Sequence, residues 1–156
     1  KKGNKKIAFI GVKNSKTTNF RLEGYINALE NLNIKTDKQL IYLTQSFDRK
    51  DGYQAAKKLF NKNKKLEAIF VYNDIMASGV IDFLKDNSIN IPEEVAVIGY
   101  DDSVASFTHP KLTTMALPKI EMAKKSVEIL FSRINGNKSE TENYQVLPKL
   151  IQRETS

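Results

Sequence analysis

The sequence predicts an α/β domain, a doubly wound and mostly parallel sheet with helices on both faces. Strand-like runs alternate with helix-like runs along most of the chain. The strand cores Ala68-Ile69-Phe70-Val71 and Val95-Ala96-Val97-Ile98 show no polar alternation, as expected of parallel strands covered on both sides. Successive strand–helix units also require right-handed crossovers, which wind helices onto the two faces of one sheet.

The first strand is residues 7–12, a short apolar run passing through Gly11. A helix over 19–32 follows, with Leu22, Tyr25, Ile26, Leu29 and Leu32 on one stripe. Residues 40–43 form the next strand; Asp48 then caps a helix whose inward side is Tyr53, Ala56, Leu59 and Phe60. Residues 66–72 are the third strand, and Asn73-Asp74 opens a helix facing inward with Met76, Val80, Phe83 and Leu84. Pro92 marks a turn before the fourth strand, 95–100. After Thr114 the pattern changes to a short strand (113–117), Pro118, and a long amphipathic helix (120–134). The turn Asn135-Gly136-Asn137 and a final strand near 144–151 complete it.

With 156 residues, 40% hydrophobic and 28% charged, the chain can bury one proper core. No apolar run approaches the roughly 20 residues of a membrane helix. The basic start Lys1-Lys2-Gly3-Asn4-Lys5-Lys6 precedes an apolar stretch too short for a signal peptide. The absence of cysteine fits a cytoplasmic location. The net charge of +7 is read as solvated lysine. Lys57, Lys58, Lys62, Lys64 and Lys65 cluster at a helix end, where cations suit the dipole, and no aromatics interleave with them.

Ligands of open α/β sheets bind beyond the carboxyl ends of the strands. Those ends carry Lys13-Asn14-Ser15-Lys16-Thr17-Thr18-Asn19 with Arg21 just inside the helix, then Thr44-Gln45-Ser46-Phe47, Asn73-Asp74 and Asp101-Asp102. A guanidinium, a primary amide, carboxylates and an aromatic gathered at one edge suit a neutral polyhydroxylated ligand. Arg offers a fork of donors, Asp accepts from hydroxyls, and Asn does both. Phe47 can stack on a sugar or a base. Each residue also has an ordinary structural role open to it: Asn73 or Asp74 as a helix cap, Asp101 and Asp102 as turn residues, Phe47 as a packed loop aromatic.

Other chemistries lack their parts. Neither a phosphate-cradling G-x-x-x-x-G-K-[ST] loop nor G-x-G-x-x-G occurs. His109, the only histidine, stands before Pro110 and reads as a loop residue; with no cysteine beside it, no zinc site is expected. The position after the first strand reads Gly11-Val12-Lys13, without the carboxylates of a phospho-acceptor site. No nucleophile–base pair is evident, so neither an enzyme nor a cofactor is expected.

Four segments together resemble the LacI/GalR family of transcriptional regulators. Asn73-Asp74-Ile75-Met76-Ala77-Ser78-Gly79 is similar to its N-D-x-M-A-x-G signature, and the segment from Ile91-Pro92 to Gly99-Tyr100-Asp101-Asp102 to its I-P…V-I-G-f/y-D-D block. His109-Pro110-Lys111-Leu112-Thr113-Thr114 resembles the h-P-x-L-T-T that follows, and Arg21-Leu22-Glu23-Gly24-Tyr25 the R-x-x-G-y/f. Leu117 stands where the family often has Gln, and Ala123 where it often has Gly.

The resemblance implies the C-terminal, effector-binding region of a cytoplasmic repressor, like one lobe of a periplasmic sugar-binding protein. It implies effector contacts at Arg21, Asn73, Asp101 and Thr17, with Phe47 stacking. By the same resemblance the expected effector is a sugar, a sugar phosphate or a nucleobase, and operator DNA is expected to be bound only through a helix-turn-helix head absent from this chain. A homodimer is implied, with contacts at Ser78, Ile81, Asp82 and Phe107. Residues 1–114 and 148–156 then make up the C-terminal lobe, while 115–147 is a strand–helix crossover belonging to the other lobe. Without that lobe the helix stripe Ile120, Ala123, Val127, Leu130, Phe131 and Ile134 is expected to pair between copies. A sugar-binding protein of a transport system has the same lobe architecture and is the alternative; an upstream signal peptide would select it, a helix-turn-helix the regulator.

Overall fold

The computed structural model describes residues 5–62, 65–136 and 143–156; Lys1-Lys2-Gly3-Asn4, Lys64 and Asn137 lie outside them. Strands β1 (Ile7–Val12), β2 (Ile41–Thr44), β3 (Ala68–Val71), β4 (Ala96–Asp101), β5 (Thr113–Ala116) and β6 (Lys149–Ile151) form one sheet. Helices α1 (Lys16–Asn31), α2 (Arg49–Lys62), α3 (Asp74–Asp86) and α4 (Lys119–Ile134) punctuate it. The strand order is β2-β1-β3-β4-β5-β6. Every pairing is parallel except β5 with β6 at the edge, so the predicted doubly wound, mostly parallel sheet is present.

Strand alternation sorts the core onto two faces. Ala8, Ile10, Val12, Ile69, Val71 and Val97 pack with Ala55, Ala56 and Leu59 of α2 and Met76, Val80 and Leu84 of α3. The opposite side of β1 and β3 puts Phe9 and Phe70 against Tyr25 and Leu29 of α1. Tyr25 also donates its hydroxyl to Ile7 O at 2.8 Å, and burial pushes its pKa up to about 12. Helices α2 and α3 meet backbone to backbone: a Cβ on Gly52 would stand 2.0 Å from Met76 O, and one on Gly79 1.8 Å from Arg49 O.

Several boundaries differ from the sequence reading for local reasons. Helix α1 starts three residues early because Ser15 caps it, its hydroxyl accepting from Thr18 N. Leu32 therefore falls at the C-cap and is exposed rather than part of the apolar face. Leu40 belongs to a 3-10 turn capped by Asp37. The last strand begins only at Lys149, directly after Pro148, which has no N–H to give a ladder. Thr155 closes the sheet's other end, donating its hydroxyl to Val97 O at 2.7 Å and accepting from Thr113 N at 2.8 Å.

Helix α4 has no buried residue. Ile120, Val127, Leu130, Phe131 and Ile134 are all exposed, Ile120 at 88%. Contacts of α4 with other segments are made by polar surface groups: Lys119 Nζ donates to Asp102 O at 3.1 Å, Tyr144 donates to Glu121 at 3.0 Å, and the Lys125 ammonium lies 5.2 Å from the Tyr144 ring. No helix among the described residues is long and apolar enough to cross a membrane.

Candidate functional site

The parallel order brings the predicted residues to one edge. Phe47 follows β2, Thr17 follows β1, Asn73 follows β3, and Asp101 ends β4, four neighbouring strands. The β1–α1 turn is fixed by Thr18, whose buried hydroxyl accepts from Val12 N at 3.0 Å. Its neighbour Thr17 is exposed at the edge. The loop after β2 is pinned by the Thr44 hydroxyl, 3.0 Å from Gly11 O and 2.6 Å from Ser46 O, and by the Ser46 hydroxyl, which donates to Asp51. Phe47 on that loop remains 54% exposed, an aromatic face not consumed by packing.

Arg21 reaches across the edge from α1. One nitrogen donates to Tyr72 O, another lies 3.5 Å from Asp101 Oδ1, and the guanidinium stands 3.8 Å from the Tyr100 ring centre and 4.7 Å from that of Tyr72. The rings hold the fork in a fixed plane, and its side chain is only 13% exposed. Asp101 accepts from it at a backbone φ of 104°, a region seldom occupied by residues with a Cβ. Burial raises the Asp101 pKa above the ordinary carboxylate value, the nearby Asp74 charge adds to this, and Arg21 and Lys119 oppose it.

Asn73 and Asp74 divide the roles left open to them. The Asn73 side-chain oxygen caps α3, accepting from Met76 N at 2.9 Å, while its NH2 is the donor it can offer a ligand. Asp74 lies beneath the edge rather than on it, so it does not join the exposed carboxylates expected there. It is fully buried and accepts from the Thr114 hydroxyl at 2.6 Å and from Ser103 N at 2.7 Å. Burial raises its pKa, with Asp102 adding and the Thr114 and Ser103 hydrogen bonds opposing. A Cβ on Gly99 would lie 2.4 Å from its Oδ1, so the glycine makes room for the carboxylate.

Sequence reasoning passed over Tyr72, Tyr100, Lys119 and Arg153. The two tyrosines read as ordinary strand aromatics; the two cations lie beyond the pattern change and carry no local signal of the edge they reach.

A second surface lies across the molecule's outer side. Ser78, Ile81, Asp82 and Phe107 line one groove of about 370 Å³ together with Arg49 and His109. Phe107 is 79% exposed, whereas Ile81 is 2% exposed and offers only the rim of a core side chain. Asp82 is held by Arg49 through two bonds of 2.6 and 2.8 Å. His109 sits in the loop before β5, its carbonyl 3.3 Å from Lys85 Nζ.

The periplasmic binding protein-like domain family matches residues 1–156. The HTH-type transcriptional regulator RegA of Clostridium saccharobutylicum is 35% identical over 158 residues, 99% of this chain and 47% of the regulator. The HTH-type transcriptional repressor PurR of Haemophilus influenzae is 34% identical over 158 residues, 98% of this chain and 47% of the repressor. The chain thus spans about half the length of these relatives. Among solved structures, a complex of the transcriptional regulator CelR with cellobiose superposes with a TM-score of 0.91 at 28% identity, covering 99% of this chain and 47% of that one. A sugar-binding LacI-family regulator from Escherichia coli in complex with phosphate gives 0.87 at 30% identity, covering 99% and 55%.

Proposed function

We propose that this chain, which belongs to the periplasmic binding protein-like domains of LacI/GalR-type transcriptional regulators, is the small-molecule sensing part of a DNA-binding repressor. The observation that carries the reading is Arg21. A guanidinium stacked near two tyrosine rings and reaching toward Asp101 presents donors beside an acceptor at the carboxyl edge of the sheet. Asn73 NH2, the Thr17 hydroxyl and the exposed Phe47 ring complete a wall suited to a polyhydroxylated ring or a base. Sugars, sugar phosphates and nucleobases are the ligand classes; the relatives described with cellobiose and with phosphate support the first two.

In this reading residues 115–147 belong to a second lobe facing that wall, and the exposed apolar stripe of α4 supports it. Ligand closing the two lobes together changes operator affinity through a helix-turn-helix head outside these residues. Two copies meet through the groove of Ser78, Ile81, Asp82 and Phe107. The regulator names of the relatives favour this over a transport binding protein and over an enzyme.

A thermal-shift screen of sugars, sugar phosphates and purines on the full-length protein tests the proposal. At least one class should raise Tm, with the rise lost in Asp101→Ala; a rise that persists unchanged in Asp101→Ala and Arg21→Ala places the ligand elsewhere.

A further inference from the structure

The turn that carries Asp101 is held by groups that ligand binding leaves without a role. Asp101 and Asp102 are consecutive and both left-handed, with φ of 104° and 49°. Two adjacent residues with side chains do not keep that conformation unaided. Three contacts hold the turn. Ser103 N donates to the buried Asp74 at 2.7 Å. Lys119 Nζ donates to Asp102 O at 3.1 Å. Arg153 spreads its fork, one nitrogen donating to Asp102 Oδ1 at 2.8 Å and the other to Leu112 O at 2.9 Å.

Arg153 is itself anchored, its backbone N donating to Thr113 Oγ1 at 2.9 Å, and its side chain is only 18% exposed. Because the guanidinium is planar, bonding Leu112 O fixes where Asp102 must sit. Asp102 in turn fixes the direction in which the preceding residue projects. Lys119 opens α4, near the start of the 115–147 excursion, and Arg153 follows β6, beyond its end, so a residue of the excursion and one of the lobe that receives it converge on Asp102.

We propose that Arg153, acting through Asp102, is a positioning residue that aims the Asp101 carboxylate at Arg21. It rests on the reading of Asp101 as the ligand's acceptor, and extends it: any movement of the excursion against the sheet pulls on the turn that carries that acceptor.

Urea unfolding of the 156-residue chain tests this without any ligand, through a cycle of Arg21→Gln and Asp101→Asn measured in two backgrounds. In the native background the two substitutions should couple by at least about fivefold in the unfolding equilibrium constant. In the Arg153→Gln background the coupling should fall below about twofold. If Arg153→Gln does not fold, Asp102→Asn serves as the background, with the same loss expected. An Arg153 that merely anchors the C-terminal residues lowers stability but leaves the coupling intact, and that result overturns the proposal, as does the absence of coupling in the native chain. Since no ligand enters the cycle, failure here is distinct from failure of the ligand screen.

Discussion

At the carboxyl edge two aspartates, each following a strand, are sorted by their surroundings. Asp101 keeps a carboxylate at the surface beside Arg21; Asp74 is sealed beneath it by Thr114 and Ser103. Both have pKa values raised by burial. A raised carboxylate pKa means that the native state holds the proton more tightly than the unfolded chain. Stability therefore declines as pH rises from the ordinary value of 3.8 through the raised native value. Asp74→Asn removes this term while its amide can still accept from Ser103 N and donate to Thr114. Urea midpoints between pH 4 and pH 7 should depend less on pH in Asp74→Asn than in the native chain; Asp101 contributes with the same sign, so some slope remains. An unchanged slope would mean that Asp74 ionises normally. Arg21 and Asp101 were legible in the sequence because each follows a strand end of a parallel sheet. The burial of Asp74 was not, since it depends on the absent side chain of Gly99 and on Thr114, from a strand whose place beside β4 periodicity does not reveal.

Periodicity located the strands and helices among the described residues and not the short 3-10 turns, because β1, β3, β4 and the stripes of α1, α2 and α3 bury apolar positions at regular spacing. Boundaries were less legible where capping decided them, as at Ser15, or where proline did, as at Pro148. The close approach of α2 and α3 hides in Gly52 and Gly79, which read as weak helix formers until their neighbours are known. Helix α4 is the element whose pattern and surroundings disagree: an apolar stripe with no core to meet. An exposed stripe of that kind is uncommon on a stable monomer. The isolated chain should therefore self-associate, and sedimentation velocity at rising concentration should show dimers through α4. A strict monomer with slow amide exchange along Ile120–Ile134 would show that the helix packs on its own sheet.

On the scale of the whole molecule, one edge of the sheet carries the proposed ligand wall and the outer groove of α3 carries the proposed dimer surface. The two are bridged by α3, whose N-cap Asn73 stands at the edge and whose Ser78 and Asp82 line the groove. If copies of the full-length protein pair through that groove, Phe107→Asp should shift it toward monomer in sedimentation equilibrium by at least about tenfold in dissociation constant, since a charge placed in an interface core is costly. An unchanged dissociation constant would move the interface elsewhere. The central claim, that the ligand lies against Arg21 and Asp101, is tested most directly by calorimetric titration of the full-length protein with the compound the screen selects. A hydrogen bond to a charged group contributes ~1.5–3 kcal/mol, so Asp101→Ala should weaken binding by at least about tenfold, and Arg21→Ala similarly. Titrations of both variants indistinguishable from the native protein would contradict it.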